Sequence, residues 1–282
     1  MSKIKAHMDN IALSHSVFAL PFAYMGLVLA SGGWPTGSDL LWVTVAMVGA
    51  RSAALALNNL IDLKYDRLHP RFKARPMVTG AVKPWEAVLL IAVSLAVFLF
   101  AASHLHPICI PLAPLAVIPF TLYPYMKRIS WTCHLVLGLA LSIAPIGAWM
   151  AVKGELTAGI VTLGLAVAIW IAAFDVIYGS QDVLFDGRQR LHSMPLHFGL
   201  RRALFFAKLM HGFSILCFVL AGMLFSLAWP YYIGVACAAA VLVYQHRLVE
   251  PDDLSQVTQA YFMRNGLVSI LVFIFTLVSL YV

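Results

Sequence analysis

The chain has 282 residues, of which 62% are hydrophobic and 11% are charged, and its formal net charge is +7 at pH 7. Soluble domains have about a quarter of their residues charged, so this composition excludes a water-soluble globule and predicts a polytopic membrane protein. The basic residues lie in short segments between apolar runs, where they indicate membrane topology and not a nucleic-acid surface.

Apolar runs near the ~20 residues needed to cross a bilayer predict nine transmembrane helices. They cover about residues 13–31, 39–61, 85–103, 107–125, 131–152, 156–179, 203–226, 228–245 and 261–282. The first run has no small-residue cleavage site, so we interpret it as a span and not as a removed signal peptide. No linker or low-complexity tract interrupts the series, and we therefore predict one all-α domain over residues 1–282.

Lys and Arg residues concentrate in alternate connections between the predicted spans. They are Lys64, Arg67, Arg71, Lys73, Arg75 and Lys83 after the second span, Lys127 and Arg128 after the fourth, Arg188, Arg190, Arg201 and Arg202 after the sixth, and Arg247 after the eighth. Because positively charged loops stay in the cytoplasm, the pattern predicts a cytoplasmic N-terminus and, with nine spans, an external C-terminus. We place the protein in the bacterial inner membrane.

Two ladders of polar side chains emerge where apolar runs end. Asn58, Asp62 and Asp66 are spaced by four residues, which places them on one face of a helix. A second ladder with the same spacing follows at Tyr178, Asp182 and Asp186, and the offset between the two sets suggests a weak internal repeat. Carboxylates at a membrane boundary are costly, so we expect a functional site at which the two ladders face each other, at the cytoplasmic end.

The ladders supply only oxygen ligands, which hard cations such as Mg²⁺ prefer. The predicted metal ligands are Asn58, Asp62, Asp66, Asp182 and Asp186. Basic side chains nearby would bind a diphosphate that the metal bridges. The candidates for this role are Arg67, Lys73, Arg75, Lys127 and Arg128, although each taken singly is better explained as a topology signal or a lipid-headgroup contact. An apolar bundle behind such a clamp suits a long hydrocarbon, so an allylic polyprenyl diphosphate is the expected substrate.

The same residues resemble the UbiA superfamily of intramembrane prenyltransferases. The first ladder, Asn58-Asn59-x-x-Asp62-x-x-x-Asp66, is similar to its motif Asn-Asp-x-x-Asp-x-x-x-Asp, with Asn59 in place of the common Asp. We assign no metal role to Asn59. Three further motifs match in the correct order: the tracts 74–80 and 123–128, and then Asp175, Tyr178, Asp182 and Asp186. The resemblance implies a nine-span helical bundle that uses Mg²⁺ to join polyprenyl diphosphates to acceptors.

Residues 18–23 and 48–54 resemble the aromatic-acid branch of this family, the 4-hydroxybenzoate polyprenyltransferases of quinone biosynthesis. This resemblance implies a small aromatic acid as the second substrate. Similar sequences serve a menaquinone route in which the acceptor is 1,4-dihydroxy-6-naphthoate, and the sequence does not separate the two. A haem or chlorophyll precursor is a further alternative within the family.

Three residues inside the predicted spans are candidates for catalysis. Arg51 would pair with the carboxylate of the acceptor, or else with an internal carboxylate such as Asp175. Asp175 would orient or deprotonate the acceptor, or serve as the counter-ion of Arg51. Tyr178 lies on the ladder face and would stabilise positive charge, or else anchor the interface.

A cation transporter is the alternative from another functional class, because intramembrane carboxylates also build ion pathways. The clustering of the carboxylates at one membrane face argues against it, since no acidic chain continues to the other side.

Overall fold

Helices form nearly all the secondary structure of the part of the chain that the computed structural model describes, residues 3–11 and 20–282. In chain order they are α1 (Lys3–Asn10), α2 (Leu20–Ser31), α3 (Gly37–Asp66), α4 (Pro84–Ala102), α5 (Cys109–Met126), α6 (Cys133–Lys153), α7 (Ala158–Gly179), α8 (Val183–Arg188), α9 (Met194–Phe198), α10 (Leu200–Leu224), α11 (Trp229–Arg247) and α12 (Gln259–Ser279). Two short 3-10 helices, Pro70–Phe72 and Ser180–Asp182, follow α3 and α7. The all-helical class predicted from the sequence is confirmed.

The predicted count of nine membrane spans is not confirmed. Within the described residues, six helical segments are long and apolar enough to cross a membrane: α3, α4, α5, α6, α10 and the run Ala158–Arg188. The segments Leu20–Ser31 and Arg264–Ser279 are shorter apolar helices. In α11 the polar residues Gln245, His246 and Arg247 shorten the apolar part of a 19-residue helix. Residues 13–19 of the first predicted span lie outside the described residues.

The two ladders differ in local structure. Helix α3 continues without a break to Asp66, so Asn58, Asp62 and Asp66 lie on one helical face, as the spacing indicates. The second ladder leaves α7 and passes through the 3-10 helix Ser180–Asp182. The Ser180 hydroxyl donates to the carbonyl of Val176 at 2.8 Å, a back-bond that bends helices, and this helps to explain the change.

Helix α7 is the centre of the bundle, since it packs against both α6 and α10, and most of its residues are buried. At its middle, Trp170 meets Phe22 of α2 edge-on with ring centroids 5.2 Å apart, and Phe22 stacks on Phe218 of α10 at 5.9 Å. Helix α3 instead packs mainly on α4. The helix that carries the first ladder is therefore held apart from the densest core, and space remains between α3, α5, α6 and α7.

Two glycines allow α6 to approach its neighbours closely. A Cβ atom on Gly26 of α2 would lie 2.1 Å from the carbonyl oxygen of Pro145, and one on Gly138 would lie 2.1 Å from that of Ala168. Because a backbone carbonyl inside a helix cannot move independently, neither position accepts a side chain without displacing a helix. Gly138 therefore fixes the separation of α6 and α7.

We expect Gly138→Ala to lower the stability of the folded protein by about 1–3 kcal/mol, the usual cost of forcing extra atoms into a packed core. The measurement is the melting temperature of the purified protein in detergent. Gly212→Ala on α10 is the matched control, since a Cβ there meets nothing within 4 Å and Ala favours the helix. Equal melting temperatures for the two variants would contradict the proposed close contact of α6 and α7.

Candidate active site

A cavity of about 730 Å³ lies between α3, α5, α6 and α7. Both ladders line one end of it, through Asn58, Asp62, Asp66, Tyr178, Asp182 and Asp186. Apolar side chains line most of the remainder, among them Met47, Phe98, Leu112, Phe120, Leu141 and Ile146. The structure thus joins a charged mouth to an apolar chamber in one space, and both residue sets that the sequence singled out lie at the mouth.

Three of the four ladder carboxylates contact a guanidinium group. Nη2 of Arg128 lies 3.3 Å from Oδ1 of Asp62, and it also donates to the carbonyl of Ile61 at 2.8 Å. Arg75 donates to Asp66. Such charge-assisted pairs balance the cost of placing carboxylates beside an apolar cavity.

The third pair joins the two halves of the mouth. Nη1 of Arg71 donates to Oδ1 of Asp182 at 2.6 Å, and Nε2 of His69 lies 3.2 Å from the same oxygen. Both basic residues come from the connection after the first ladder, whereas Asp182 belongs to the second. Burial lowers the pKa of His69 and so favours its neutral form, although Asp182 opposes this effect. Neither Arg71 nor His69 was predicted from the sequence to belong to the site, and their place in the basic loop is the signal that could have indicated them.

Aromatic rings hold these guanidinium groups in place. The guanidinium carbon of Arg128 lies 5.1 Å from the ring centre of Tyr65 and 5.2 Å from that of Tyr125. Arg75 lies 3.8 Å above the ring of Phe72. Cation–π contacts of this kind orient a guanidinium group without using its N–H donors, which therefore remain available for oxygen acceptors.

The donor set of the mouth fits a hard divalent cation. Its metal candidates are oxygen atoms, and two of them, Oδ1 of Asn58 and Oδ2 of Asp186, are buried with no hydrogen-bond partner among the described residues. Within that same part of the chain, no three His, Cys, Asp or Glu side chains already form a metal-sized cluster. Asn58 and the four ladder carboxylates are the residues that would hold such a cation.

Lys127 is a cation inside this mouth. It lines the cavity beside the ladder carboxylates, immediately after α5. Burial by itself lowers the pKa of its ammonium group, but the carboxylates of Asp186 and Asp175 outweigh that effect, and the pKa is raised. Lys127 therefore stays positively charged at neutral pH.

The remaining sequence candidates divide into two groups. Arg51, Asp175, Tyr178, Arg75 and Arg128 line the cavity together with Lys127. Arg67 and Lys73 are exposed and do not line it, although they lie in the same loop. Position in the loop therefore does not by itself separate Arg75, which lines the cavity, from Arg67 and Lys73.

Asp175 pairs with a residue to which the sequence analysis assigned no site role. Nδ1 of His134 lies 2.6 Å from Oδ2 of Asp175. The other ring nitrogen, Nε2, accepts a hydrogen bond from the main-chain N–H of Met194 at 3.2 Å. The two side chains are 41 residues apart in sequence, so no local pattern indicates the pair.

Asn59, the residue that departs from the family motif, connects α1 to the mouth. Its Nδ2 donates to the main-chain carbonyl of Asn10 at 2.5 Å, while its Oδ1 lies 3.4 Å from Nη1 of Arg75. Arg75 in turn holds Asp66. A carboxylate at position 59 would suit Arg75 but would place an acceptor against the Asn10 carbonyl, which an amide avoids.

Comparison with known proteins identifies the family. The sequence pattern of the UbiA prenyltransferase family matches residues 19–267. The chain therefore belongs to the UbiA prenyltransferase family, and it is a prenyltransferase and an integral, multi-pass membrane protein.

Among its relatives are two named 4-hydroxybenzoate octaprenyltransferase. The relative from Methylobacillus flagellatus is 32% identical over 257 residues, which cover 91% of this chain and 86% of the relative. A relative from Pseudomonas aeruginosa is 33% identical over 219 residues, which cover 78% of this chain and 74% of the relative.

Solved structures share the fold. The apo structure of a UbiA homolog from Aeropyrum pernix K1 matches 94% of this chain and 98% of its own with a TM-score of 0.84 and 31% identity. A UbiA homolog from Archaeoglobus fulgidus bound to GPP and Mg²⁺ matches 98% of this chain and 100% of its own with a TM-score of 0.78. At 19% identity, the second likeness shows that the fold is shared.

We expect Asn59→Asp to weaken the contact between α1 and α3, because the new carboxylate would face the Asn10 carbonyl. The loss of a buried hydrogen bond and the new repulsion should cost about 1–3 kcal/mol, measured as a lower melting temperature together with faster proteolysis near the N-terminus. Asn10→Ala is the matched control, since it keeps the main-chain carbonyl that Asn59 contacts. An Asn59→Asp variant as protected as the wild type would contradict this account.

Proposed function

We propose that this chain transfers a polyprenyl group from an allylic polyprenyl diphosphate to the ring of an aromatic acid, with Mg²⁺ as cofactor. The observation that carries the proposal is the cavity itself, in which carboxylates and guanidinium groups surround the mouth of an apolar chamber of about 730 Å³. The diphosphate belongs at the mouth and the hydrocarbon in the chamber. The names of the relatives, 4-hydroxybenzoate octaprenyltransferase, support the same reaction class.

The ion pairs at the mouth suggest how the diphosphate binds. Arg71, Arg75 and Arg128 now contact carboxylates, and each can contact phosphate oxygens instead. The carboxylates so released, with Asn58, would hold Mg²⁺, which when bound neutralises charge on the leaving diphosphate. Support for the metal comes from the solved family member bound to GPP and Mg²⁺ and from the two buried oxygen atoms without partners among the described residues.

The chemical step follows from the substrate. The bond between the allylic carbon and the diphosphate oxygen breaks, and the electron pair leaves with the diphosphate, which Arg75, Arg128 and Lys127 stabilise. An electron-rich ring carbon then supplies the pair that bonds to the allylic carbon. Loss of the proton from that ring carbon restores aromaticity, so the products are the prenylated acid, diphosphate and one proton. Tyr178 lines the mouth, where its ring would stabilise the developing positive charge.

Arg51 and Asp175 are the proposed contacts of the aromatic acceptor. Both line the cavity, and they offer opposite chemistry. The guanidinium group of Arg51 matches a carboxylate, whereas the carboxyl group of Asp175 matches a hydroxyl donor. An acceptor with both groups on one ring fits this pair, and 4-hydroxybenzoate in a respiratory quinone pathway is our first candidate. The alternative acceptor, 1,4-dihydroxy-6-naphthoate of menaquinone synthesis, presents the same two groups.

Basic residues also set the proposed orientation. The mouth carries Arg71, Arg75, Lys127 and Arg128, and positively charged segments stay in the cytoplasm. We therefore place the N-terminus and the mouth on the cytoplasmic side of a bacterial inner membrane. A cation transporter is the rival function, and metal flux into sealed vesicles that contain the purified protein would support it.

The first test is turnover by the purified protein in detergent with Mg²⁺ and geranyl diphosphate. 4-Hydroxybenzoate and 1,4-dihydroxy-6-naphthoate are offered in parallel, and a prenylated product from either supports the reaction class. Product from one acceptor alone assigns the pathway. No product from either, with intact geranyl diphosphate and a protein that still melts cooperatively, contradicts the proposal.

In the same assay, we expect Asp62→Ala and Asp182→Ala each to lower kcat/KM at least 100-fold, because each removes a proposed ligand of the Mg²⁺ that neutralises the leaving diphosphate. Asp252→Ala is the matched control, since Asp252 is an exposed carboxylate in the connection before α12. Wild-type turnover in a folded Asp62→Ala or Asp182→Ala variant would show that the ladders are not the diphosphate site.

A further inference from the structure

The buried imidazole of His134 lies next to the proposed acceptor site but outside the cavity. His134 of α6 contacts Asp175 of α7 through Nδ1, 2.6 Å from Oδ2. The His134 side chain is 1% exposed and does not line the cavity, whereas the Asp175 side chain is 18% exposed and does line it. His134 can therefore act on a bound substrate only through Asp175.

The second ring nitrogen determines where the imidazole carries its proton. The main-chain N–H of Met194 donates to Nε2 of His134 at 3.2 Å. A main-chain N–H can only donate, so Nε2 must be the acceptor and carry no hydrogen. The neutral ring then has its hydrogen on Nδ1, which donates to Oδ2 of Asp175. In the opposite tautomer, the N–H at Nε2 of His134 would face the main-chain N–H of Met194, and the two donors would repel each other.

The contact at Met194 is itself well fixed. Met194 is the first residue of α9, where main-chain N–H groups have no partner within their own helix. His134 satisfies one of these groups, and the Ser193 side chain accepts from the N–H of Leu196 at 3.4 Å. On α6, His134 lies one turn before Gly138, where α6 and α7 approach closely. The imidazole ring therefore accepts a hydrogen bond from α9 through Nε2 and contacts α7 through Nδ1.

Oδ2 of Asp175 consequently accepts a hydrogen bond from Nδ1 of His134, whose orientation is fixed. A carboxylate that receives an N–H bond remains an acceptor, so its second oxygen offers lone pairs and no proton to the cavity. A ring substituent that meets this oxygen is bound well when it donates a hydrogen bond. A substituent that can only accept hydrogen bonds places its lone pairs against those of the Asp175 oxygen, and it therefore binds weakly.

We propose that His134 is a positioning residue that holds Asp175 as a hydrogen-bond acceptor and so makes the enzyme select aromatic acceptors with a free hydroxyl group. The proposal rests on the prenyl transfer argued above, and it names the group that the acceptor must present. The ether of the same acid, 4-methoxybenzoate, has the carboxylate and the ring but no O–H donor. It is therefore the probe that isolates this contact.

The experiment compares KM for 4-hydroxybenzoate with the competitive inhibition constant of 4-methoxybenzoate, at saturating Mg²⁺ and geranyl diphosphate. In the wild type we expect the ether to bind at least 10-fold more weakly, the discrimination of about one lost hydrogen bond. In His134→Leu the ratio should fall to about threefold or less, with KM for geranyl diphosphate unchanged within about twofold. His134→Asn keeps an N–H donor near the position of Nδ1 and should retain the wild-type ratio.

A role in folding alone would weaken both aromatic ligands equally and leave their ratio unchanged, and that outcome would overturn the proposal. If His134→Leu does not fold, His134→Ser replaces it, because the serine hydroxyl is too short to reach Asp175. A His134→Asn variant that loses the discrimination would also overturn it. A wild type that prenylates neither 4-hydroxybenzoate nor 1,4-dihydroxy-6-naphthoate overturns the proposed function and this proposal together, whereas turnover with an unchanged ratio in the variants overturns this proposal alone.

Discussion

Pairing of carboxylates with guanidinium groups at the mouth of an apolar cavity is the interaction on which the site depends. An ionised side chain at membrane depth is costly unless an opposite charge and further hydrogen bonds accompany it. Asp62, Asp66 and Asp182 each have such a partner, and the three arginines come from the connections after α3 and α5. A site built in this way is stable by itself and still suited to a substrate that carries negative charge together with a divalent metal.

The contacts around the mouth explain why the ion pairs form between distant parts of the chain. Arg71 links the loop after α3 to Asp182, which follows α7, and so connects the two ladders directly. Asn59 links Arg75 to the carbonyl of Asn10 in α1. Helix α1 is therefore connected to the ion pairs of the mouth. A change at the contact between Asn10 and Asn59 can affect Asp66 through Arg75.

Sequence reasoning predicted the parts of the site that depend on local periodicity. The spacing of Asn58, Asp62 and Asp66 by four residues indicates one helical face, and α3 has that geometry. The second ladder has the same spacing but passes through a 3-10 helix, because helix geometry after Gly179 depends on the Ser180 back-bond as well as on residue spacing. The all-helical class followed from the apolar composition, whereas the predicted count of nine spans is not confirmed, since six segments of the described residues are long and apolar enough to cross a membrane.

Contacts between residues far apart in sequence could not be predicted from residue spacing. His134 and Asp175 lie 41 positions apart, and Asn10 and Asn59 lie 49 apart, so only the packing of the helices brings them together. Among the basic residues of the loop after α3, Arg71 and Arg75 contact ladder carboxylates, and Arg75 also lies over the ring of Phe72. Charge alone predicted the same diphosphate-binding role for Arg67 and Lys73, although neither residue lines the cavity.

In the proposed site, metal and diphosphate replace the present ion pairs together, and this exchange is tested by measuring whether the two ligands bind cooperatively. Mn²⁺, used in place of Mg²⁺, can be titrated into the purified protein with free metal followed by electron paramagnetic resonance, with and without the unreactive analogue geranyl S-thiolodiphosphate. We expect the metal to bind at least 10-fold more tightly when the analogue is present, since the arginines then have phosphate oxygens as partners and release the carboxylates. Equal metal affinity in the two titrations would contradict this exchange of partners.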